Sequence, residues 1–305
     1  MKSLTLRNKK TSWKRSQNIG LLYIAPWIIG FLVFQLYPFI VSLIYSFADF
    51  SIIKTPEFVG LKNYINLFTK DRLFYHSLKT TFIYVLIAVP GKLIFALIIA
   101  LILNMKLKYI NFYRTIYYMP SILGGSVAVS ILWRFLFARN GLVNILLSKF
   151  SIAPIDWLGS PDVALYTISL LKVWQFGSSM VLFLAGLKQI PGELYEAAKV
   201  DGAGKIRTFF SVTLPLLTPI IFFNLIMQMV NAFQEFTSAF VVTQGGPLRS
   251  TYLYGLMLYE QGFRFLKMGY ASAQSWILFI IIMAMTALVF KSSPYWTYYD
   301  DEGDF

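Results

Sequence analysis

Long apolar runs alternate with short polar connections along this chain. Six of the runs approach or exceed the roughly 20 residues that cross about 30 Å of hydrocarbon. They occupy residues 21–47, 80–103, 112–137, 163–187, 219–243 and 269–290. Each is expected to be helical, because a bilayer interior holds no water to satisfy an open backbone. The first run follows Lys9, Lys10, Lys14 and Arg15 in the manner of a signal peptide. It is too long for one, and no small-residue cleavage site follows, so it reads as a retained span. The pattern predicts an all-α integral membrane protein with six transmembrane helices. There is no internal repeat, low-complexity tract or dividing linker. The expected organisation is a basic tail (1–19), one transmembrane domain (20–291) with its main polar loop at about 190–215, and a short acidic tail (292–305).

Composition agrees with a lipid solvent. The chain has 305 residues, of which 57% are hydrophobic and 13% charged, about half the charged share usual in soluble domains. It contains no cysteine, which removes disulfides, thiolate metal sites and thiol nucleophiles, and its one histidine, His76, does not make an imidazole metal site. The formal net charge of +13 invites a nucleic-acid reading, but most of the lysines and arginines flank apolar runs, where they act as topology signals. Lys2, Arg7, Lys9, Lys10, Lys14 and Arg15 precede the first run. Lys106, Lys108 and Arg114 lie in the second connection, and Lys188, Lys199, Lys205 and Arg207 in the fourth. These belong on one side, expected to be cytoplasmic, and an even span count puts both termini there. The opposite connections also hold basic residues, such as Lys54, Lys62 and Arg139, together with turn residues and interfacial aromatics.

The fourth connection is the most elaborate polar segment. Pro191-Gly192-Glu193 suits a helix start, with Glu193 near the positive end of the dipole. Leu194, Ala197, Ala198 and Val200 form a weakly apolar side, and Glu193, Glu196 and Lys199 a polar one. Asp201-Gly202-Ala203-Gly204 breaks the helix. Lys205 to Leu214 restarts it until Pro215 redirects the chain. The product is a two-helix protrusion whose small residues admit another protein's surface; a loop without a partner is the competing reading. Gly202-Ala203-Gly204-Lys205-Ile206 is not a phosphate loop, since it lacks the earlier glycine and the Ser or Thr after the lysine.

Glu196-Ala197-Ala198, then Gly202, then Val212 two residues before Leu214-Pro215, resembles the signature loop of importer-type ABC transporter permeases. Val212 stands where isoleucine is frequent. Gly60-Leu61-Lys62-Asn63-Tyr64, Gly186-Leu187-Lys188-Gln189-Ile190-Pro191 and Thr243-Gln244-Gly245-Gly246-Pro247 resemble the carbohydrate branch, of the maltose and glycerol-3-phosphate kind. The likeness covers about residues 20–290. It implies the type I importer (MetI-like) permease fold and a place in a bacterial cell membrane. It also implies that Glu196, Ala197, Ala198, Asp201 and Gly202 form a coupling helix docked in a cytosolic ATPase. The implied partners are a second permease, an ATPase dimer that binds ATP and Mg, an extracytoplasmic solute-binding protein and a carbohydrate. The chain itself would bind no cofactor and catalyse no reaction.

Two spans carry polar side chains at helical spacing. Asn224, Gln228, Asn231 and Glu235 recur at four, three and four residues, and Ser169, Lys172, Gln175 and Ser179 form a second stripe with Phe176 beside it. A charge at depth costs several kcal/mol unless paired or wetted, so such residues mark a pathway or a structural pair. Lys172 and Glu235 each lie about 12–13 Å from the outer end of their run, at one depth. They neutralise each other, or the stripes line a sugar site. In the resembled maltose permease the sugar-contacting positions correspond here to Lys172, Gln175, Phe176, Ser179, Gln228, Asn231, Ala232 and Glu235, with different side chains. A lysine there would suit an acidic sugar such as a uronate oligosaccharide. Lys92, after Pro90-Gly91, faces a second permease or a water-filled cavity. The alternative function is a proton-coupled secondary transporter using Glu235. Such chains usually hold inverted repeats, which are absent here. A membrane-embedded enzyme needs a catalytic cluster that one glutamate and one histidine do not supply.

Overall fold

The computed structural model describes residues 23–105 and 108–298. The basic tail, Lys106 and the end of the chain from Tyr299 lie outside them. Helix α1 (Tyr23–Ser46) leads into a hairpin of strands β1 (Ala48–Ser51) and β2 (Lys54–Phe58), a small departure from the all-helical expectation. A short helix α2 (Lys62–Thr69) follows, and its Asn63 amide donates to the carbonyls of Ser46 and Ala48, both at 2.9 Å, pinning the hairpin's base.

Helix α3 (Arg72–Asn104) starts eight residues earlier than hydropathy suggests. The Asp71 carboxylate caps it, accepting from the Leu73 N–H at 2.9 Å and the Phe74 N–H at 3.2 Å. It is the central post of the bundle, with Tyr84, Ala88, Ala96 and Ala100 all without exposed surface. Gly91 lets a neighbouring helix close in, since a Cβ there would sit 3.1 Å from the Val173 side chain.

The third run is two helices, α4 (Ile110–Leu123) and α5 (Val127–Leu136), which meet at 103°. At 1.5 Å per residue neither reaches across the hydrocarbon alone. Gly124-Gly125 supplies the corner, and the Ser126 hydroxyl accepts from the Val129 N–H to restart the helix. After α6 (Leu142–Ser148), the fourth run is likewise α7 (Pro161–Trp174) and α8 (Gly177–Gln189), bent by 46°. The protrusion is α9 (Gly192–Val200), and α10 runs unbroken over Lys205–Phe233.

Pro215 therefore does not redirect the chain. A proline clashes with the carbonyl four residues before it. Here the preceding turn, Phe209–Thr213, widens to a π-helix and relieves the clash. Leu32–Leu36 widens in the same way ahead of Pro38. Helix α11 (Tyr254–Tyr259) packs against α3, and α12 (Met268–Tyr295) closes the bundle against α1, where the Trp276 ring lies tilted 4.6 Å from Phe39 and donates to the Ser42 hydroxyl at 3.2 Å.

Gly269 marks the tightest join between α12 and the hairpin, because a Cβ there would overlap the Ala48 carbonyl oxygen. Gly269→Val is expected to destabilise the protein by about 1–3 kcal/mol. Gly30→Ala, with nothing within 4 Å of its new Cβ, should melt like the parent. Thermal melting in detergent reads both, and equal midpoints for the two variants would contradict the packing described.

Candidate functional site

Two bent spans and the end of α10 come together in the bundle: Gly124-Gly125 between α4 and α5, Gln175-Phe176 between α7 and α8, and the stretch after Phe233. Side chains satisfy the backbone groups that the breaks leave open. The Gln175 amide donates to the Gly124 carbonyl at 2.6 Å. The Ser121 hydroxyl donates to the Gln175 carbonyl and accepts from the Ser178 N–H, both at 2.9 Å. The Glu235 carboxylate accepts from the Ser238 N–H at 3.1 Å and its hydroxyl at 3.0 Å, capping the helical turn Ala239–Thr243.

Around these breaks lies a cavity of about 250 Å³, walled by Tyr84, Lys172, Gln175, Asn231, Glu235 and Phe236 among others. Lys172 Nζ and Glu235 Oε2 are 2.9 Å apart, with side chains 15% and 13% exposed. The pair therefore neutralises itself, and it also borders the cavity.

Not every stripe residue reaches the cavity. Phe176 is buried and stands edge-on to Phe95 at 4.8 Å. Ser179 and Ala232 are buried and do not line it. Gln228 is buried and accepts from Lys92 Nζ at 2.7 Å, so Lys92 points into the core, neither toward open water nor toward a neighbouring subunit. The helical stripe itself stops at Asn231: α10 ends at Phe233, and Glu235 sits in the break beyond it. Sequence reasoning missed Tyr84, Ser130, Gln234, Thr237 and Ser238, which also line the cavity. Only the Gly124-Gly125 pair inside an apolar run signalled a corner there.

The protrusion is set by its C-cap. The Ala203 N–H donates to the Ala198 carbonyl at 2.9 Å and the Gly202 N–H to the Lys199 carbonyl at 3.1 Å, the paired bonds of a Schellman motif. That motif needs a left-handed residue, and Gly202 supplies it at φ +72°. Glu196, Ala197, Asp201 and Gly202 are exposed and Ala198 half-buried, while Val200 and Ile206 project outward with 87% and 77% of their surface free. The Tyr195 and Thr213 hydroxyls, 3.2 Å apart, tie α9 back onto α10.

Lys172→Met leaves the Glu235 carboxyl buried without its partner, at an expected cost of about 3–5 kcal/mol. Adding Glu235→Gln should recover most of that loss. Melting midpoints of the two variants check this; a single variant as stable as the parent would show that the pair contributes nothing.

Residues 72–293 match the family described as the binding-protein-dependent transport system inner membrane component. A probable ABC transporter permease of Bacillus subtilis (strain 168) is 48% identical, with 96% of each chain covered. The sulfoquinovosyl glycerol transport system permease of Agrobacterium fabrum is 36% identical over 92% of this chain and 93% of its own. In the solved structure of a bacterial ABC transporter involved in import of the acidic polysaccharide alginate, one chain superposes with a TM-score of 0.81 at 22% identity, covering 95% of this chain and 100% of that one, which is a likeness of fold. The chain is a multi-pass membrane protein and belongs to the family of inner membrane permease components of binding-protein-dependent ABC transport systems.

Proposed function

We propose that this permease passes a sugar or oligosaccharide through the cavity at the helix breaks, with Lys172, Gln175, Asn231 and Glu235 as the groups that meet it. The observation that carries this reading is the convergence of two broken spans and the end of α10 on amides, hydroxyls and one ion pair within an otherwise apolar bundle. Amides and hydroxyls match sugar hydroxyls, and Phe236 offers an aromatic wall. The relatives named for sulfoquinovosyl glycerol and alginate support a carbohydrate. The cavity's 250 Å³ lies below the roughly 300–1,000 Å³ of a complete ligand pocket, which fits a half-site completed by a second permease.

The protrusion carries the other half of the proposal. Glu196, Ala197, Ala198, Asp201 and Gly202 dock in a cytosolic ATPase dimer, with Val200 and Ile206 as apolar knobs at its contact. ATP-driven closure of that dimer moves α9 and shifts the cavity between outward and inward exposure. Both termini are cytoplasmic. An extracytoplasmic binding protein delivers the sugar to the opposite face, where Lys62, Lys70 and Lys267 wall a polar cavity of about 500 Å³. A proton carrier is not required in such a machine, and Glu235 is already engaged by Lys172 and Ser238.

The full complex in proteoliposomes should show ATP-dependent, sugar-stimulated uptake. Uptake driven by a pH gradient without ATP would end this reading. Gly202→Val forces a β-branched residue into the left-handed region at a local cost of about 1–2 kcal/mol. It should lower uptake at least about tenfold while the permease pair still assembles, and unchanged uptake would separate the protrusion from transport.

A further inference from the structure

The charges inside the bundle do not balance. Lys92 is 5% exposed, and its hydrogen-bond partner is the neutral Gln228 amide oxygen. The salt bridges among the described residues are Lys172–Glu235 and the peripheral Glu260–Arg264, so no carboxylate pairs with Lys92. Two lysines against one glutamate leave an excess positive charge. Gln228 lies seven residues before Glu235, so the Lys92 ammonium sits within about 10 Å of the ion pair along the bundle axis. Because Lys92 is enclosed by its own chain, a neighbouring subunit's carboxylate has no open approach to it.

A second observation points at the same place. Tyr84 lines the cavity, has no exposed surface of its own, and its hydroxyl is a buried group without a hydrogen-bond partner, although Ser238 stands nearby. A buried phenol donor left unpaired costs free energy, and in native sites such a group usually has a ligand or water to meet. Lys172, with ammonium protons beyond the one given to Glu235, faces the same space.

We propose that the Tyr84 hydroxyl and the Lys172 ammonium form an oxyanion seat, with Lys92 behind it supplying the uncompensated charge, and that the transported sugar is anionic, bound through a carboxylate. This rests on the carbohydrate reading. Glu235 holds Lys172 in place while the seat is empty. The arriving carboxylate takes a phenolic and an ammonium hydrogen bond, both of the stronger, charge-assisted kind, and brings the interior to neutrality. No covalent step is involved.

The test uses the full complex of this permease with its partner subunits in detergent. Galacturonate, glucuronate and mannuronate disaccharides are titrated against their methyl esters, which keep the shape and lose the charge, with sodium sulfate as a free-anion arm. At least one acid should bind about tenfold or more tighter than its ester, and Tyr84→Phe or Lys92→Met should each shrink that ratio to within about threefold. Tyr84→Phe removes one oxygen only, so its folding is not at issue. Esters binding as tightly as acids, or variants that weaken both equally, overturn the anionic seat and leave the carbohydrate reading standing. Sulfate that competes as effectively as the acids overturns the sugar carboxylate in favour of a free anion. Binding of neither acids nor esters overturns both readings.

Discussion

A backbone interrupted inside hydrocarbon has no water to turn to, and that constraint organises this molecule. Each of the three breaks near the bundle centre exposes carbonyls and N–H groups that protein must satisfy. Gln175 answers the Gly124 carbonyl, Ser121 answers both sides of the Gln175 break, and Glu235 answers the N–H of Ser238. Polar side chains thus enter the apolar interior first as repairs to the backbone. The cavity is the space those repairs keep open. Glu235 illustrates the economy: one carboxylate caps a helical turn, neutralises Lys172 and forms part of the wall.

The fold was legible in the sequence to the extent that hydropathy decides it. Six runs became four single helices long enough to cross and two bent pairs, and the hinges escaped notice because a hydropathy average is blind to direction. Gly124-Gly125 was visible as a pair of residues, but the 103° corner depends on Gln175 and Ser126 arriving to complete the backbone. Pro215 misled for a related reason. Local propensity says that a proline ends a helix, yet a single wide turn before it absorbs the clash and α10 continues.

The site was half legible. The shared depth of Lys172 and Glu235 is readable from the rise per residue alone, and it holds even though Glu235 lies past the end of its helix. The stripe argument fared differently. Periodicity identifies a face, but α8 and α10 have protein on several sides, so a polar face does not distinguish a cavity from a packed core. Ser179 and Gln228 went to the core by that route. Tyr84 gave no signal, because a tyrosine in an apolar span reads as packing until its hydroxyl is seen without a partner.

The two functional regions, far apart in space, are joined by one element. Helix α10 begins at Lys205, three residues after Gly202, and ends at Phe233, two before Glu235. Its 29 residues make a rod about 43 Å long. The Tyr195–Thr213 contact braces α9 against its lower end, at the last residue of the π-turn Phe209–Thr213. At the upper end the rod stops where the Lys172–Glu235 pair bridges to α7, itself one residue before the Gln175 break. The protrusion is therefore connected by one continuous helix, with no intervening loop, to the residues that bound the cavity. The wide turn and Pro219 are places where the axis of the rod can yield, between the protrusion and the breaks.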